Sequence, residues 1–423
     1  MRLAGAPRDI WRSSTAFRLT VCAMAMVAFA ELMVLAFAPG ESPITPAHVA
    51  ESAYFGQAQI DRARDFHAGG RWLGYGGLLL QILAVGALAL GRPSFMRRLF
   101  ERFSKRPILG AAGTGAIVYL VARLATLPTA IAGHERAVDY GISSQSLGSW
   151  FQDLGISLAI MVPLVALGSA LLVALIRRFP RRWWLPVAVA ACTIGAAVTL
   201  LGPVLFAPRF NDFERLPDGS PLRKEVLALG NSAGVDIGDV YKVDASRRSS
   251  TLNAYVDGIG PTKRVVLYDT LIDSGSNAEL RSVVAHELGH VAHHDVPRGV
   301  LFAFLIAPLG TLFARELAAA LVRRGGIELG TPASVPALLL AISLAAFALG
   351  VPGDQLSRQV EGSADTFALQ LTDDPQAFIR LHQQFVERNL SDPDPPAVSQ
   401  FLFGTHPTEL QRVGSAVTFE RER

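Results

Sequence analysis

Residues Arg281–Asp295 read "RSVVAHELGHVAHHD", four histidines and a glutamate in a chain of 423 residues that is half hydrophobic. His286 and His290 are four apart, so on a helix both imidazoles project from one face and can share one metal ion. Glu287 lies beside them, placed to act on a metal-bound water. Upstream, Ser276 and Glu279 have the spacing of a capping box, and the apolar spacing predicts a helix running to His294, until Pro297.

The surroundings of this stretch are membrane-like. Mean hydropathy is +0.33 and only 18% of residues are charged, too apolar for an ordinary soluble enzyme. Seven stretches are long and apolar enough to cross a bilayer as helices: Phe17–Phe37, Trp72–Leu90, Ile108–Ala132, Leu154–Ile176, Trp183–Phe206, Gly299–Val322 and Ala333–Val351. Arg2, Arg8, Arg12 and Arg18 precede or open the first, as in a signal peptide, but its core is long and holds Glu31, which marks a retained helix. Glu31 and Arg123 are costly in lipid and are expected to face a wet interior or each other. Cys22 and Cys192 lie in separate apolar runs, which suggests neither a disulfide framework nor a thiolate metal site.

Four sections follow: a membrane region of five helices over 1–206, a polar segment over 207–298, two further helices over 299–351, and a second polar segment over 352–423. The fold class is a multi-pass α-helical membrane protein with a small α+β domain built from the two polar segments. "DVYKVDAS", "NAYVDG" and "TKRVVLYDTL" in the first of these have the alternation of short strands. Net charge is +3, and lysine occurs only at 105, 224, 242 and 263. The arginine bias, with abundant Ala and Gly, points to a GC-rich bacterial genome. No basic-aromatic interleaving indicates a nucleic-acid partner.

Two histidines leave a catalytic metal short of the usual three protein ligands. In "SRQVEGSADTFAL", Glu361 can supply the third, and Asp365, four residues on, can accept the free N–H of a ligand histidine. The rival is His293, seven residues from His286 on the same helix face but displaced along the axis; His294, beside it, is a candidate of the same weight.

The sequence resembles the type 1 CAAX prenyl proteases, integral-membrane zinc metallopeptidases of the gluzincin kind. "HELGH", "PRFNDFERLPDGSPLRKEV", "RRSSTLNAY", "KRVVLYDTL", "SRQVEGSADTFA" and "THPTELQR" match in the same order across nearly the whole chain. The resemblance implies helices enclosing a chamber with a zincin-type site at one end and one Zn2+ per chain. It makes Glu361 the third zinc ligand beside His286 and His290. It also has Asn253 and Ala254 hold the substrate backbone, with Arg412 grouped beside them in support of the site, and has His406 stabilise the tetrahedral intermediate. Val256, Asp257 and Gly258 after "NAY", and Thr408 after Pro407, depart from the family pattern and place any difference in the substrate channel.

The expected reaction is peptide-bond hydrolysis in a membrane-associated protein or peptide, with or without a lipid, at the bilayer. Glu287 acts as general base and His406 as a donor to the oxyanion. Other readings are a heat-shock-type membrane quality-control protease, a seven-helix transporter or receptor, and a catalytically dead scaffold. The expected location is a bacterial cell membrane. Two arguments on orientation oppose each other: the basic clusters share one side of seven spans, which the positive-inside rule makes cytoplasmic, leaving the site outside. Family resemblance puts the site on the cytosolic side, the orientation adopted here.

Overall fold

The computed structural model describes residues 15–41, 43–91, 98, 102, 103, 105–258 and 260–423. Arg2, Arg8, Arg12 and most of the basic stretch at 92–104 lie outside the described residues.

Seven helices among the described residues are long and apolar enough to span a membrane. They are contained in α1 (Thr15–Phe37), α3 (Gln57–Gly86), α4 (Pro107–Asp139), α5 (Leu147–Arg178), α6 (Trp184–Leu205), α10 (Asp295–Arg324) and α11 (Val335–Thr372); α2 is the single turn Glu51–Tyr54. Packing runs α3–α4–α5–α6–α10–α11 and returns from α11 to α3 and α4, while α1 lies against α10 and α11. This closed circuit leaves six of the seven apolar windows only 11–28% buried, so most of their apolar surface is available to lipid or to the enclosed interior.

All the spans but α6 exceed the length of the stretch that hydropathy marks, because further turns continue the helices beyond it. The seventh shows this best. One unbroken 38-residue helix, α11, carries both the apolar run and the Glu361–Asp365 segment, so the boundary expected at 351/352 falls inside a helix that contains Pro352. Glu31 accepts a hydrogen bond from Gln355 Nε2 at 3.2 Å and does not pair with Arg123, whose residue is exposed. A neutral amide on the neighbouring helix answers the carboxylate.

The extramembrane part joins β1 (Phe213–Arg215), α7 (Pro221–Ser232), β2 (Asp239–Val243), β3 (Ala254–Asp257), β4 (Arg264–Tyr268), α8 (Asp269–Ser274) and α9 (Asn277–Ala292). To these the chain after α11 adds α12 (Pro375–Arg388), α13 (Ala397–Phe403) and α14 (Glu409–Glu422). The sheet order is β1-β2-β4-β3, with β2 parallel to β4 and β3 antiparallel to it as an edge strand. Its core face meets α9: Val265 and Leu267 pack with Val284 and Leu288, and with Ala368 and Leu369 of α11.

Helix α9 starts where the sequence predicts, with Ser276 and Glu279 forming the capping box. It stops earlier than Pro297: His293 caps it, and His294 turns left-handed at φ 57° before α10 begins. Pro297 falls in the first turn of α10, where its missing N–H removes no helix bond. The crossing of α9 over α11 is close because a Cβ on Gly289 would lie 3.2 Å from Phe367 Cδ1 and 3.3 Å from the Ala364 Cα.

Gly289→Val should therefore force the two helices apart, at a cost of about 1–3 kcal/mol, and lower both thermal stability in detergent and bound metal. Gly299→Ala, where a Cβ meets nothing within 4 Å, should change neither.

Candidate metal centre and active site

The capping box fixes the start of α9, and Glu279 also accepts from Gln384 Nε2 at 2.8 Å, tying that start to α12. Two turns on, His286 and His290 face α11 with ring centroids 4.8 Å apart. His286 Nδ1 lies 2.9 Å from Asp365 Oδ1, and His290 Nδ1 lies 2.9 Å from Asp295 Oδ2. An ionised carboxylate only accepts, so each Nδ1 donates, and in the neutral imidazole each Nε2 then presents a lone pair.

Those two Nε2 atoms are 3.2 Å apart. Glu361 Oε2 approaches them, 3.1 Å from His286 Nε2, and is a buried oxygen with no hydrogen bond of acceptable geometry. Its Oε1 is 3.6 Å from His290 Nε2. Three lone-pair donors thus converge within 4.8 Å of one another. In their unprotonated forms they repel, and a cation satisfies all three; against the effect of burial, the Asp365 and Glu361 carboxylates raise His286 above its ordinary pKa. His293 and His294 do not join this set: His293 Nε2 points to Glu41 Oε2 at 3.5 Å, and the helix break carries His294 away.

Behind the cluster, Arg412 donates from Nε to Asp365 Oδ2 at 2.8 Å and from Nη2 to Asp365 Oδ1. This bidentate pair holds Asp365 against His286. Arg412 is 8% exposed, and its contacts support the histidine, although the residue also lines the adjoining cavity. Farther in, His382 Nδ1 and Glu409 Oε2 form a buried pair at 2.5 Å.

A cavity of about 470 Å³ opens beside the cluster, lined by His286, Glu287, His406, Asn253 and Leu252 among others. Burial raises the Glu287 carboxyl above its ordinary pKa, against the opposing influence of the His286 and His290 imidazoles; a carboxylate so poised is a better proton acceptor near neutral pH. His406 Nε2 lies 3.4 Å from Glu361 Oε2, on a side chain 55% exposed. Its loop is held from α11, one turn before Glu361: Arg358 Nη1 donates to the Gln400 carbonyl at 3.2 Å and to that of Gly404. Gln400 Nε2 in turn donates to the His406 carbonyl at 2.7 Å. On the opposite wall, Asn253 is exposed at the start of β3, its carbonyl accepting from Tyr268 N at 3.1 Å and its Oδ1 from Ala254 N at 2.9 Å.

Two participants escape sequence reading. Asp295 lies beyond a helix break, so no periodic spacing connects it to His290; its only signal is an acidic residue at the start of a helix. Arg358 is the i−3 neighbour of Glu361 and was legible only as a charge on a polar face.

The five-membrane-helix N-terminal pattern of CAAX prenyl proteases matches residues 50–212, and that of peptidase family M48 matches residues 220–419. Among relatives, an uncharacterized metalloprotease of Bacillus subtilis (strain 168), YhfN, is 31% identical over 73% of each chain. CAAX prenyl protease 1 of Saccharomyces cerevisiae is 33% identical over 42% of this chain and 40% of its own. The crystal structure of S. mikatae Ste24p superposes with a TM-score of 0.74 at 19% identity, covering 96% of this chain and 99% of that one, and so shares the fold, helix ring included. With its two halves both matched, the chain belongs to the CAAX prenyl protease family of M48 metallopeptidases and is a multi-pass membrane protein.

Proposed function

We propose that the protein is a zinc endopeptidase acting on membrane-associated proteins, including lipidated ones, with His286, His290 and Glu361 as the protein ligands of one Zn2+. The observation that carries this reading is the convergence of two imidazole lone pairs and an unpartnered carboxylate oxygen within 4.8 Å, a His₂Glu donor set suited to catalytic zinc. The substrate class follows from the membrane-embedded fold and from relatives named CAAX prenyl proteases. A heat-shock-type protease, a transporter or receptor, and a dead scaffold are set aside, since both the membrane half and the peptidase half match this family.

Zinc bound at this site supplies Lewis-acid polarisation and acidifies water. The chain supplies the rest. Glu287 accepts a proton from the attacking water and returns it to the leaving amine. His406 donates to the oxyanion: with Thr405 Oγ1 2.8 Å from its Nδ1 and donating there, Nε2 carries the proton. Asn253 and Ala254 align the substrate main chain along the edge of β3. Asp365, Asp295 and Arg412 keep both imidazoles in the ligating tautomer.

We place the site on the cytosolic side of a bacterial membrane, following the family resemblance. A second reading is favoured by one feature: Lys105, Arg106, Arg177, Arg178, Arg323 and Arg324 lie at the helix ends away from the sheet. Arg323 Nη2 bonds Thr15 Oγ1 there at 3.1 Å, and the positive-inside rule makes that end cytoplasmic. A cysteine at exposed Ser232, with Cys22 and Cys192 replaced by alanine, should resist impermeant maleimide in intact cells and react in inverted vesicles. Labelling of intact cells would establish the outward orientation.

Glu361→Ala should lose nearly all bound zinc, whereas Asp295→Asn should weaken zinc about 10–100-fold; metal analysis of both checks this. If His293→Ala loses zinc while Glu361→Ala keeps it, His293 is the ligand. Glu287→Gln should retain one zinc and lose most activity, and His406→Ala should retain zinc and lower kcat by about 10²–10³. Steady-state kinetics with metal content on the same preparations measure both.

A further inference from the structure

Asn389 caps the C-terminus of α12, and its side chain reaches 137 residues back along the chain to the approach of β3. Leu252 N donates to Asn389 Oδ1 at 2.8 Å, and Asn389 Nδ2 donates to the Leu252 carbonyl at 3.1 Å. One amide side chain therefore pairs with one residue's backbone as a neighbouring strand would. The following residue, Leu390, is non-glycine at φ 52° and only 2% exposed. A left-handed leucine costs about 1 kcal/mol or more, so the packing around it holds this junction in place. Two residues farther, Asp392 is tied to membrane helix α3 through Arg71 Nη1 at 3.2 Å.

The position of this pairing matters because β3 is an edge. Asn253 directs its carbonyl to Tyr268 N of β4, and Ala254 stands opposite Leu267 in the register. Backbone groups alternate in direction along a strand, so Leu252, Ala254 and Val256 face the open edge. Leu252 and Asn389 line the same cavity as Glu287, the group that returns a proton to the leaving amine.

We propose that Asn389 is a specificity-determining residue. Its amide occupies the pairing position at Leu252, so a substrate strand laid antiparallel on β3, its leaving-group side toward Leu252, pairs at Val256 and at the Ala254 carbonyl, the Ala254 N–H being held by Asn253 Oδ1, and stops there. The proposal rests on the peptidase reading above. The substrate class it selects is polypeptide with a short extended segment beyond the scissile bond; a longer segment must leave the edge and gains no further main-chain bonds.

The test uses purified full-length zinc enzyme in detergent and two peptides identical up to the cleaved bond, one with a short and one with a long segment after it. Cleavage positions are checked by mass spectrometry. Wild-type enzyme should give the long peptide no advantage in kcat/KM. Asn389→Ala frees the Leu252 N–H and carbonyl, and the long-to-short ratio of kcat/KM should rise about tenfold, the size expected of one or two net hydrogen bonds, chiefly through a lower KM for the long peptide. Asn389→Asp keeps the acceptor and loses the donor, and should give a smaller rise. An unchanged ratio in both variants with zinc retained, or an equal loss on both peptides, would overturn the proposal and leave Asn389 an anchor of the loop. If Asn389→Ala does not fold, the ratio in Asn389→Asp decides alone. A wild-type enzyme that cleaves neither peptide removes the peptidase reading itself, and the proposal with it.

Discussion

The contact on which the rest depends is the crossing of α9 and α11 at Gly289. The donors that could hold a metal sit on two helices separated by a pair of membrane spans in the sequence, and only a close approach brings the Glu361 carboxylate to the imidazoles of His286 and His290. A glycine one position before His290 supplies the space. Around that crossing the core is apolar and filled, with Leu288, Ala368 and Leu369 fully buried, so the separation of the two helices is set by packing and the polar groups need only complete it.

The polar groups do so as a connected set, in which the Arg412 guanidinium stands between the Asp365 and Glu409 carboxylates and each carboxylate also meets an imidazole. The imidazole of His286 meets Asp365, Asp365 meets Arg412, and beyond Arg412 lies Glu409 with His382. Burying any one of these alone would be costly; each is answered by its neighbour. Asp365 thereby holds the His286 imidazole in one orientation, with its Nε2 toward Glu361, so the geometry of the candidate site is set by the chain itself.

Much of this was legible in the residues. Long apolar runs announced the spans, and the i, i+4 pairs in "HELGH" and "EGSAD" announced two helical faces carrying donors. What was not legible depends on tertiary distance. Asp295 is five residues from His290 but across a left-handed turn, so helical periodicity could not connect them. Glu31 was expected to face a wet interior or Arg123, and a glutamine on α11 answers it. For Arg412 the resemblance implied a supporting place beside the substrate, and its partner, Asp365, came only from the fold. The seventh span looked shortest because hydropathy stops at the first polar turn, whereas the helix does not.

That last helix has a mechanical consequence. Because α11 is continuous, Glu361 stands nine residues beyond Pro352, about 13 Å along the axis. Pro352 lacks the N–H that would bond one turn back, so the helix is weakest where it leaves its apolar run. A tilt of about 3° around that point would displace the carboxylate by about 0.7 Å, comparable to the tolerance of a ligand set. Spans adjust their tilt to the thickness of the surrounding hydrocarbon. The lipid composition of the host membrane therefore bears on the geometry of the site through a single angle, and the proline is the joint at which that angle is taken up.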